Sequence, residues 1–283
     1  MIFTRGVILV ALSVLSGALW FDVLAYDPPL QHLTVSFLDV GQGDATLIET
    51  PDQIQVLVDG GPDPAVLREL STALGFFDRT LDVVIATHPD TDHVGGLVDV
   101  FERYHVATII LTENEGDSEA ATVFRRAVEA EGAEVVYARA GDRLRIGAST
   151  TIDILFPDRD PSGFESNAAS IVAQVRFGDV EFLLTGDAPK SIEEYLVRQH
   201  GAMLESEVLK VGHHGSDTST AATFLAAVDP AFAVISAGAD NRYGHPHPDV
   251  IARLSSHPLA ILETAEHDTI TFRSDGREVW VNR

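Results

Sequence analysis

Short apolar runs alternate with amphipathic stretches along most of the chain. Strands are predicted where apolar and β-branched residues form brief runs bounded by Gly, Pro or Asp. These runs lie at 32–39, 45–49, 54–59, 82–87, 106–111, 134–138, 151–156, 170–177, 180–186, 207–211, 231–236, 259–262, 268–273 and 278–282. Helices are predicted where apolar residues recur with helical spacing. These stretches lie at 64–74, 95–103, 118–131, 189–200, 219–228 and 247–255.

The order of these elements mixes hairpins with strand–helix units. Gly178-Asp179 separates two predicted strands and is a hairpin turn signal. Many other strands are followed by a predicted helix, which is typical of sheets covered by helices. We therefore predict an α/β fold with two mixed sheets flanked by helices, in one domain that spans residues 30–283.

The N-terminal residues have a different pattern. An uncharged apolar run, Gly6–Phe21, follows Arg5 and precedes the linker Asp27-Pro28-Pro29. The run is short for a membrane-spanning helix, which needs about 20 residues, and long for a signal-peptide core. Residues 1–29 are therefore predicted to be a signal peptide or a single membrane anchor plus linker. The positive-inside rule then places the domain outside the cytoplasm, either membrane-anchored or secreted.

The charge of the chain restricts its partners. Forty-three Asp and Glu oppose nineteen Lys and Arg, for a formal net charge of −24. A field of this sign repels phosphate backbones, so non-specific nucleic-acid binding is disfavoured unless metal cations or an Arg patch reverse it locally. Cysteine is absent, which excludes disulfides, thiolate metal sites and a cysteine nucleophile.

The candidate chemistry lies in four clusters, each just past a predicted strand. They are His88-Pro-Asp90-Thr-Asp92-His93, Leu184-Thr-Gly186-Asp187, Val211-Gly-His213-His214-Gly215-Ser216 and Tyr243-Gly-His245-Pro-His247-Pro. Imidazole and carboxylate groups bind zinc, manganese or iron. The first cluster is expected to be a loop that wraps its side chains around metals, and Asp187 can bridge two cations. Because loops at strand ends converge, we predict one metal site built from all four clusters.

Two glycine-containing loops earlier in the chain fit the same pattern. They are Asp39-Val-Gly41-Gln42-Gly43-Asp44 and Asp59-Gly60-Gly61. We interpret Asp39, Asp44 and Asp59 as groups that orient the histidines. The alternative is that they are simple turn residues.

These motifs resemble the metallo-β-lactamase superfamily, whose mark is a His-x-His-x-Asp-His loop. Here the loop reads His88-x-Asp90-x-Asp92-His93, with Asp in the second place. Within the superfamily the chain looks most like the extracellular hydrolase domain of ComEC-type DNA-uptake (competence) proteins. The matching stretches are 37–44, 87–96, 166–167, 184–187, 210–216 and 241–248. The resemblance implies a four-layer αββα sandwich with the metals at one sheet edge.

The resemblance also implies roles for individual residues. The implied metal ligands are His88, Asp90, Asp92, His93, Asp187 as the bridging group, and His245. Asn167 stands where many relatives have a histidine, so His213 or His214 is expected either to complete the first metal's ligands or to donate a proton. The implied catalytic group is Asp92, His213 and His214. Gln42, Asn167, Ser216 and His247 join Asp39, Asp44 and Asp59 as supporting or substrate-binding residues.

We therefore expect a hydrolase that uses two divalent cations, Zn²⁺ or Mn²⁺, to activate water and neutralise phosphate charge. The expected reaction is phosphodiester hydrolysis of nucleic acid, in DNA uptake or degradation outside the membrane. One alternative substrate is another ester, lactone or lactam, because the fold hosts many chemistries. Another alternative is a non-catalytic accessory of a DNA-uptake channel. ComEC proteins carry many membrane spans, so a membrane channel is an expected partner.

Overall fold

Apolar runs pair into two sheets in a computed structural model of the protein, which describes residues 32–75 and 77–282. The predicted signal or anchor segment, residues 1–29, lies outside these residues. Within the described ranges, no helix has both the length and the hydropathy needed to cross a membrane.

The described residues form fifteen strands and seven α-helices. The strands are β1 (Leu33–Phe37), β2 (Thr46–Glu49), β3 (Gln55–Val58), β4 (Thr80–Ala86), β5 (His105–Leu111), β6 (Glu134–Tyr137), β7 (Arg143–Ile146), β8 (Thr150–Phe156), β9 (Val172–Phe177), β10 (Val180–Leu184), β11 (Val208–Lys210), β12 (Phe232–Ile235), β13 (Ala260–Glu263), β14 (Ile270–Ser274) and β15 (Val279–Asn282). The helices are α1 (Ala65–Ala73), α2 (Thr91–Arg103), α3 (Glu119–Glu131), α4 (Lys190–His200), α5 (Ala222–Val228), α6 (Pro248–Ser255) and α7 (Thr264–His267).

Each strand predicted from the sequence is present, with small shifts at its ends. The hairpin at Gly178-Asp179 is confirmed, since β9 and β10 pair antiparallel with Phe177 opposite Val180. The strand β7 was not predicted, because it reads Arg-Leu-Arg-Ile and is too short and charged to show an apolar run. The single-turn helix α7 was not predicted either.

The start of α2 differs from the prediction in a way that affects the site. The helix begins at Thr91, not at residue 95, so Asp92 and His93 lie in its first turn. The prediction that the whole cluster is a loop is therefore wrong. Asp90 occupies the N-cap position with an extended backbone, and successive helical residues point about 100° apart. Asp92 and His93 therefore point in different directions without a loop between them.

The strands form two sheets. One has the order β15-β14-β1-β2-β3-β4-β5-β6, and the other has the order β13-β12-β11-β10-β9-β8-β7. Each sheet contains a parallel segment, β3-β4-β5-β6 in the first and β10-β11-β12-β13 in the second. The remaining pairs are antiparallel, so both sheets are mixed, as predicted.

The apolar residues sort into three layers of packing. A central core lies between the sheets and includes Phe37, Ile85 and Phe182. A second cluster packs α1, α2 and α3 on the outer face of the first sheet, and includes Leu57 and Leu97. A third packs α4, α5 and α6 on the outer face of the second sheet. The predicted αββα sandwich is therefore confirmed.

The parallel segments position the polar clusters. The carboxyl ends of parallel strands lie at one edge of a sheet, where loops from adjacent strands meet. Asp59 follows β3, His88 follows β4, Asp187 follows β10 and His213 follows β11. A backbone hydrogen bond from Ile171 N to Thr87 O, 2.9 Å long, links loops at the corresponding edges of the two sheets.

Candidate metal centre

Asp59 holds one side of the centre in place. Its carboxylate is buried and accepts hydrogen bonds from Thr87 N and Thr87 Oγ1, each 2.8 Å long. His93 Nδ1 lies 2.8 Å from Asp59 Oδ2. A carboxylate can only accept there, so the ring proton sits on Nδ1 and the lone pair of Nε2 is free to bind a metal.

His88 is held by hydroxyl groups instead. Its Nδ1 lies 3.1 Å from Thr87 Oγ1 and 3.3 Å from Ser170 Oγ. Its Nε2 lies 3.7 Å from Asp90 Oδ2. The rings of His88 and His93 are 4.0 Å apart between centroids, so the two side chains are in close contact.

Asp187 lies between the first cluster and the histidines that follow β11. One of its oxygens, Oδ1, is 3.3 Å from His93 Nε2. The other, Oδ2, is 3.6 Å from Nε2 of both His213 and His214. The carboxylate is buried, and its backbone N–H donates to Ser170 Oγ over 3.1 Å.

The two adjacent histidines adopt an uncommon backbone conformation. His213 and His214 have φ values of 52° and 54°, in the left-handed region, within a short 3₁₀ segment that spans Gly212–Gly215. Non-glycine residues in this region cost of order 1 kcal/mol or more, and such strain concentrates at functional sites. The turn aims both Nε2 atoms at Asp187.

The two histidines differ in their surroundings. His214 is buried, its Nδ1 donates to Ser236 O over 2.9 Å, and its Nε2 lies 3.2 Å from Asp92 Oδ2. The side chain of His213 is 25% exposed, with Nδ1 3.0 Å from Thr218 Oγ1. His214 thus lies among the groups that could hold a metal ion, whereas His213 is the more exposed of the two.

Four side chains lie close enough to share one cation. Ligand atoms of Asp92, His93, Asp187 and His214 all lie within 4.8 Å of one another. A second group in the described ranges contains Asp44, Asp59 and His93. Its members are occupied by other contacts, because Asp59 holds His93 and Asp44 pairs with a lysine.

That lysine, Lys210, was missed in the sequence. It is 3% exposed, donates to Asp44 Oδ2, and lies 3.9 Å from Asp187 Oδ1. Asp44 Oδ1 lies 3.2 Å from His214 Nδ1. Asp44 therefore does lie beside a histidine, and its charge is balanced by Lys210. The signal available was that only Lys190 and Lys210 are lysines in the whole chain.

His245 lies beside this cluster rather than in it. Its ring centroid is 5.7 Å from that of His213 and 6.4 Å from that of His214. Its Nδ1 is buried and has no hydrogen-bond partner among the described residues. Its assignment as a ligand stays a prediction.

Several other predicted residues support loops instead of contacting the cluster. Asp39 Oδ1 accepts from Gly41 N (3.1 Å), and Gln42 Oε1 accepts from Gly238 N (3.2 Å). Ser216 Oγ lies 3.0 Å from Thr218 Oγ1. His247 Nδ1 accepts from Asp249 N (3.2 Å) and caps α6. The contact of Asp39 fits the alternative that it is a simple turn residue, and the supporting or substrate-binding roles of Gln42, Ser216 and His247 stay predictions.

Asp90 and Asn167 lie at the rim. Asp90 Oδ1 accepts a 2.6 Å hydrogen bond from Ser166 Oγ, and its side chain is 42% exposed. Asn167 Nδ2 lies 3.5 Å from His213 Nε2, and its buried Oδ1 has no partner in the described part of the chain. Both residues can therefore offer an oxygen to a cation beside His88.

Unpartnered atoms test whether the cluster fits metal ions. A buried polar atom without a hydrogen-bond partner costs about 1–3 kcal/mol, so such atoms are rare. Among the described residues, several of these atoms gather at this one place. They are His88 Nε2, His93 Nε2, Asp187 Oδ1, Asn167 Oδ1 and His245 Nδ1. Nitrogen and oxygen donors of this kind suit divalent cations, so the residues present fit a metal centre.

Electrostatics favour the same conclusion. Burial lowers the pKa of His88 to about 4, which keeps it a neutral ligand. Burial also opposes protonation of His214, yet Asp187 and Asp44 outweigh it and raise its pKa to about 10. Burial likewise works against His93, but Asp187 and Asp59 raise its pKa well above the ordinary value. The carboxylates thus create a strong demand for positive charge, which divalent cations satisfy.

With this geometry established, the chain can be placed in a family. The sequence profile of the metallo-beta-lactamase superfamily matches residues 38–239. The chain belongs to this superfamily.

Relatives with curated names indicate a narrower group. The chain is 31% identical over 262 residues to ComE operon protein 3 of Bacillus subtilis (strain 168), covering 86% of this chain and 33% of the relative. It is 31% identical over 237 residues to competence protein ComA of Neisseria gonorrhoeae, covering 83% of this chain and 31% of the relative. The chain thus spans about a third of the length of these relatives.

A solved structure agrees with the fold. The metallo-beta-lactamase fold protein YhfI from Bacillus subtilis superimposes with a TM-score of 0.54 and 13% identity, over 90% of this chain and 100% of that one. The resemblance predicted from the motifs, to the superfamily and to competence proteins, is therefore confirmed.

Proposed function

We propose that this chain is a two-metal phosphodiesterase that cleaves nucleic acid outside the membrane, in DNA uptake or degradation. The observation that carries the proposal is Asp187, a buried carboxylate whose oxygens lie 3.3 Å from His93 Nε2 and 3.6 Å from the Nε2 atoms of His213 and His214. The similarity of the chain to competence proteins supports a nucleic-acid substrate. An export signal or anchor in residues 1–29 and a membrane channel as partner belong to the same proposal.

The residues divide into two ligand sets that share Asp187. One cation would be held by Asp92, His93, His214 and Asp187, the group whose ligand atoms lie within 4.8 Å of one another. The other would be held by His88, Asp90 and Asp187, with Asn167 beside them. When bound, divalent cations supply Lewis-acid chemistry, acidifying water towards a pKa of about 7 and neutralising phosphoryl charge.

The remaining side chains have separate tasks. Asp59 keeps the Nε2 lone pair of His93 directed into the site, and Asp44 with Ser236 O does the same for His214. His213 is the more accessible histidine, and its Nε2 is 3.6 Å from Asp187 Oδ2. We assign His213 to deliver a proton to the leaving oxygen, which departs as an alcohol.

The charge of the protein fits this arrangement. A net charge of −24 repels phosphates everywhere except where cations outweigh the local carboxylates. Substrate would therefore bind at and beside the loaded centre, and not along the general surface.

The direct experiment is Asp187→Ala in the full chain. We expect metal content and cleavage of single-stranded DNA to be lost together, because both ligand sets use this carboxylate. Asp179→Ala, at the exposed hairpin turn between β9 and β10, is the control. Undiminished DNA cleavage by Asp187→Ala would refute the assignment. A small phosphodiester and a β-lactam, assayed in parallel with Zn²⁺ and Mn²⁺, would reveal a different substrate.

A further inference from the structure

A groove lies beside the candidate metal centre, with a cavity volume of about 540 Å³. One wall is the start of α2 with Asp90 and Asp92, and the other is the loop with Arg242 and Tyr243. The size falls in the range of pockets that bind small molecules or single nucleotides. Because Asp90 and Asp92 line the groove and are proposed metal ligands, the groove adjoins the place where a phosphate would react.

Tyr243 presents an aromatic ring to this groove. The residue is 56% exposed. Its ring is stacked on that of His245, with 5.8 Å between centroids and 24° between planes. His245 is in turn stacked with His214, at 6.4 Å and 27°. A row of rings therefore runs from the groove towards His214, and its outer member, Tyr243, is more than half exposed.

Arg242 supplies a positive charge at the same place. Its guanidinium carbon lies 5.1 Å from the Tyr243 ring centroid, and its Nη2 donates to Tyr243 Oη over 3.1 Å. Other arginines such as Arg143 and Arg176 pair with carboxylates, but Arg242 has no ion pair with any described residue. In a chain with a net charge of −24, this arginine can exchange its neutral partner for a phosphate.

The loop that carries both residues is held firmly. The amide of Asn241 donates to Gly238 O (2.8 Å) and His245 O (2.5 Å). The Oδ1 of Asn241 accepts from Tyr243 N (3.2 Å) and His245 N (3.0 Å). One side chain thus ties both ends of the loop together, so little ordering entropy is lost when a ligand binds.

We propose that this loop is a nucleotide-binding subsite in which Tyr243 stacks on a base next to the bond that is cleaved, while Arg242 pairs with a neighbouring phosphate. The proposal rests on the phosphodiesterase function above and specifies its substrate. Bases in a duplex are already stacked on each other, so a base can reach Tyr243 only from a single strand or a frayed end. The substrate class is therefore single-stranded nucleic acid.

The test combines a change in the protein with a change in the substrate. Metal-loaded full-length protein is assayed on a single-stranded oligonucleotide with a mapped cleavage position. It is also assayed on a series of variants of this strand, each with a single abasic nucleotide at a different position beside the cleaved bond. Tyr243→Ala should lower kcat/KM on the intact strand roughly 5- to 150-fold, the range for loss of one base–aromatic stack. Removing the stacked base should lower the kcat/KM of the wild-type protein by a similar factor. The same removal should not lower the kcat/KM of Tyr243→Ala any further.

Controls separate stacking from damage to the fold. Tyr243→Phe should retain the wild-type rate, and Tyr137→Ala removes a similarly exposed ring, 51% exposed, from the edge strand β6. Metal content and melting temperature should be unchanged in Tyr243→Ala. Arg242→Gln should reduce the slope of log affinity against log salt by about 0.7, the value for one phosphate contact on a single strand, whereas Arg277→Gln should not.

The outcomes are distinct. If the wild-type protein cleaves the strand, but the Tyr243→Ala loss is the same on intact and all abasic substrates, the subsite is refuted and the phosphodiesterase function stands. If the loaded wild-type protein neither binds nor cleaves the strand, both proposals fail. The subsite is supported if removing the Tyr243 ring or the stacked base lowers the rate by a similar factor, and removing both lowers it no further.

Discussion

Replacing Asp59 by Asn tests whether the histidines are held as ligands. The substitution keeps the shape of the side chain and changes one acceptor oxygen to an NH₂ group. In the wild-type protein, Asp59 accepts hydrogen bonds from three donors, which are Thr87 N, Thr87 Oγ1 and His93 Nδ1, each at 2.8 Å. With the NH₂ facing His93, two donors meet, and His93 must move its proton to Nε2 and lose the lone pair that binds metal. With the amide flipped, the NH₂ meets Thr87 N–H instead.

Either orientation therefore loses at least one charge-assisted hydrogen bond, and each such bond contributes about 1.5–3 kcal/mol. Groups that orient metal ligands typically change metal affinity by 10- to 100-fold when altered. We expect Asp59→Asn to weaken Zn²⁺ binding within that range, which corresponds to about 1.4–2.7 kcal/mol. The assay is competition with a chromophoric chelator, with folding confirmed by circular dichroism.

The matched control is Asp52→Asn. Asp52 lies in the turn between β2 and β3, is exposed, and accepts from Ala148 N over 2.7 Å. Replacing this carboxylate by an amide should leave the metal affinity unchanged. An Asp59→Asn protein that binds Zn²⁺ as tightly as the wild type would refute the reasoning that this carboxylate fixes the proton of His93.

Three further predictions concern stability. Burial raises the pKa of Glu193 to about 7, although its carboxylate accepts hydrogen bonds from Thr220 N and Ala221 N. Between pH 4.5, the ordinary pKa, and pH 7, the folded state therefore keeps a proton that the unfolded state has lost. The free energy of unfolding should fall by about 3 kcal/mol as pH rises through that window. Urea titrations at several pH values should show this fall in the wild type and not in Glu193→Gln, and equal pH dependence in both would contradict it. Gly96→Ala would place a Cβ 2.2 Å from Gly60 O, so α2 must move. We expect the same urea titration to show about 3 kcal/mol of destabilisation. Gly163→Ala, where a Cβ meets nothing within 4 Å, should have little effect on stability. Adding Zn²⁺ at a hundred times its Kd should stabilise the chelator-treated protein by about 2.7 kcal/mol, and a melting temperature that does not respond would count against a metal site.

Local patterns were sufficient to predict much of the fold. Apolar runs marked the strands because many strands are buried on both faces, as β3 illustrates: Val56 and Val58 pack in the central core, and Leu57 packs against the outer helices. The polar clusters after β4, β10 and β11 were predicted to meet, and they do. The αββα arrangement itself came from the resemblance of these motifs to a known superfamily.

Other features depend on contacts that local sequence does not contain. The different surroundings of His213 and His214 depend on their left-handed backbone and on Ser236 O, which a linear motif does not specify. Asp44 and Lys210 are 166 positions apart, and their pairing appears only once the two sheets pack. Helix α2 starts early because the backbone turns at Asp90, although residues 91–93 carry no strong helical pattern.

The central claim is that one carboxylate joins two cations. A crystal structure of the metal-loaded protein, with anomalous data collected at the absorption edge of the bound metal, tests it most directly. We predict two anomalous peaks, one beside His88 and one beside His214, each within about 2.0–2.3 Å of an Asp187 oxygen. A single peak, or peaks that Asp187 does not touch, would contradict it.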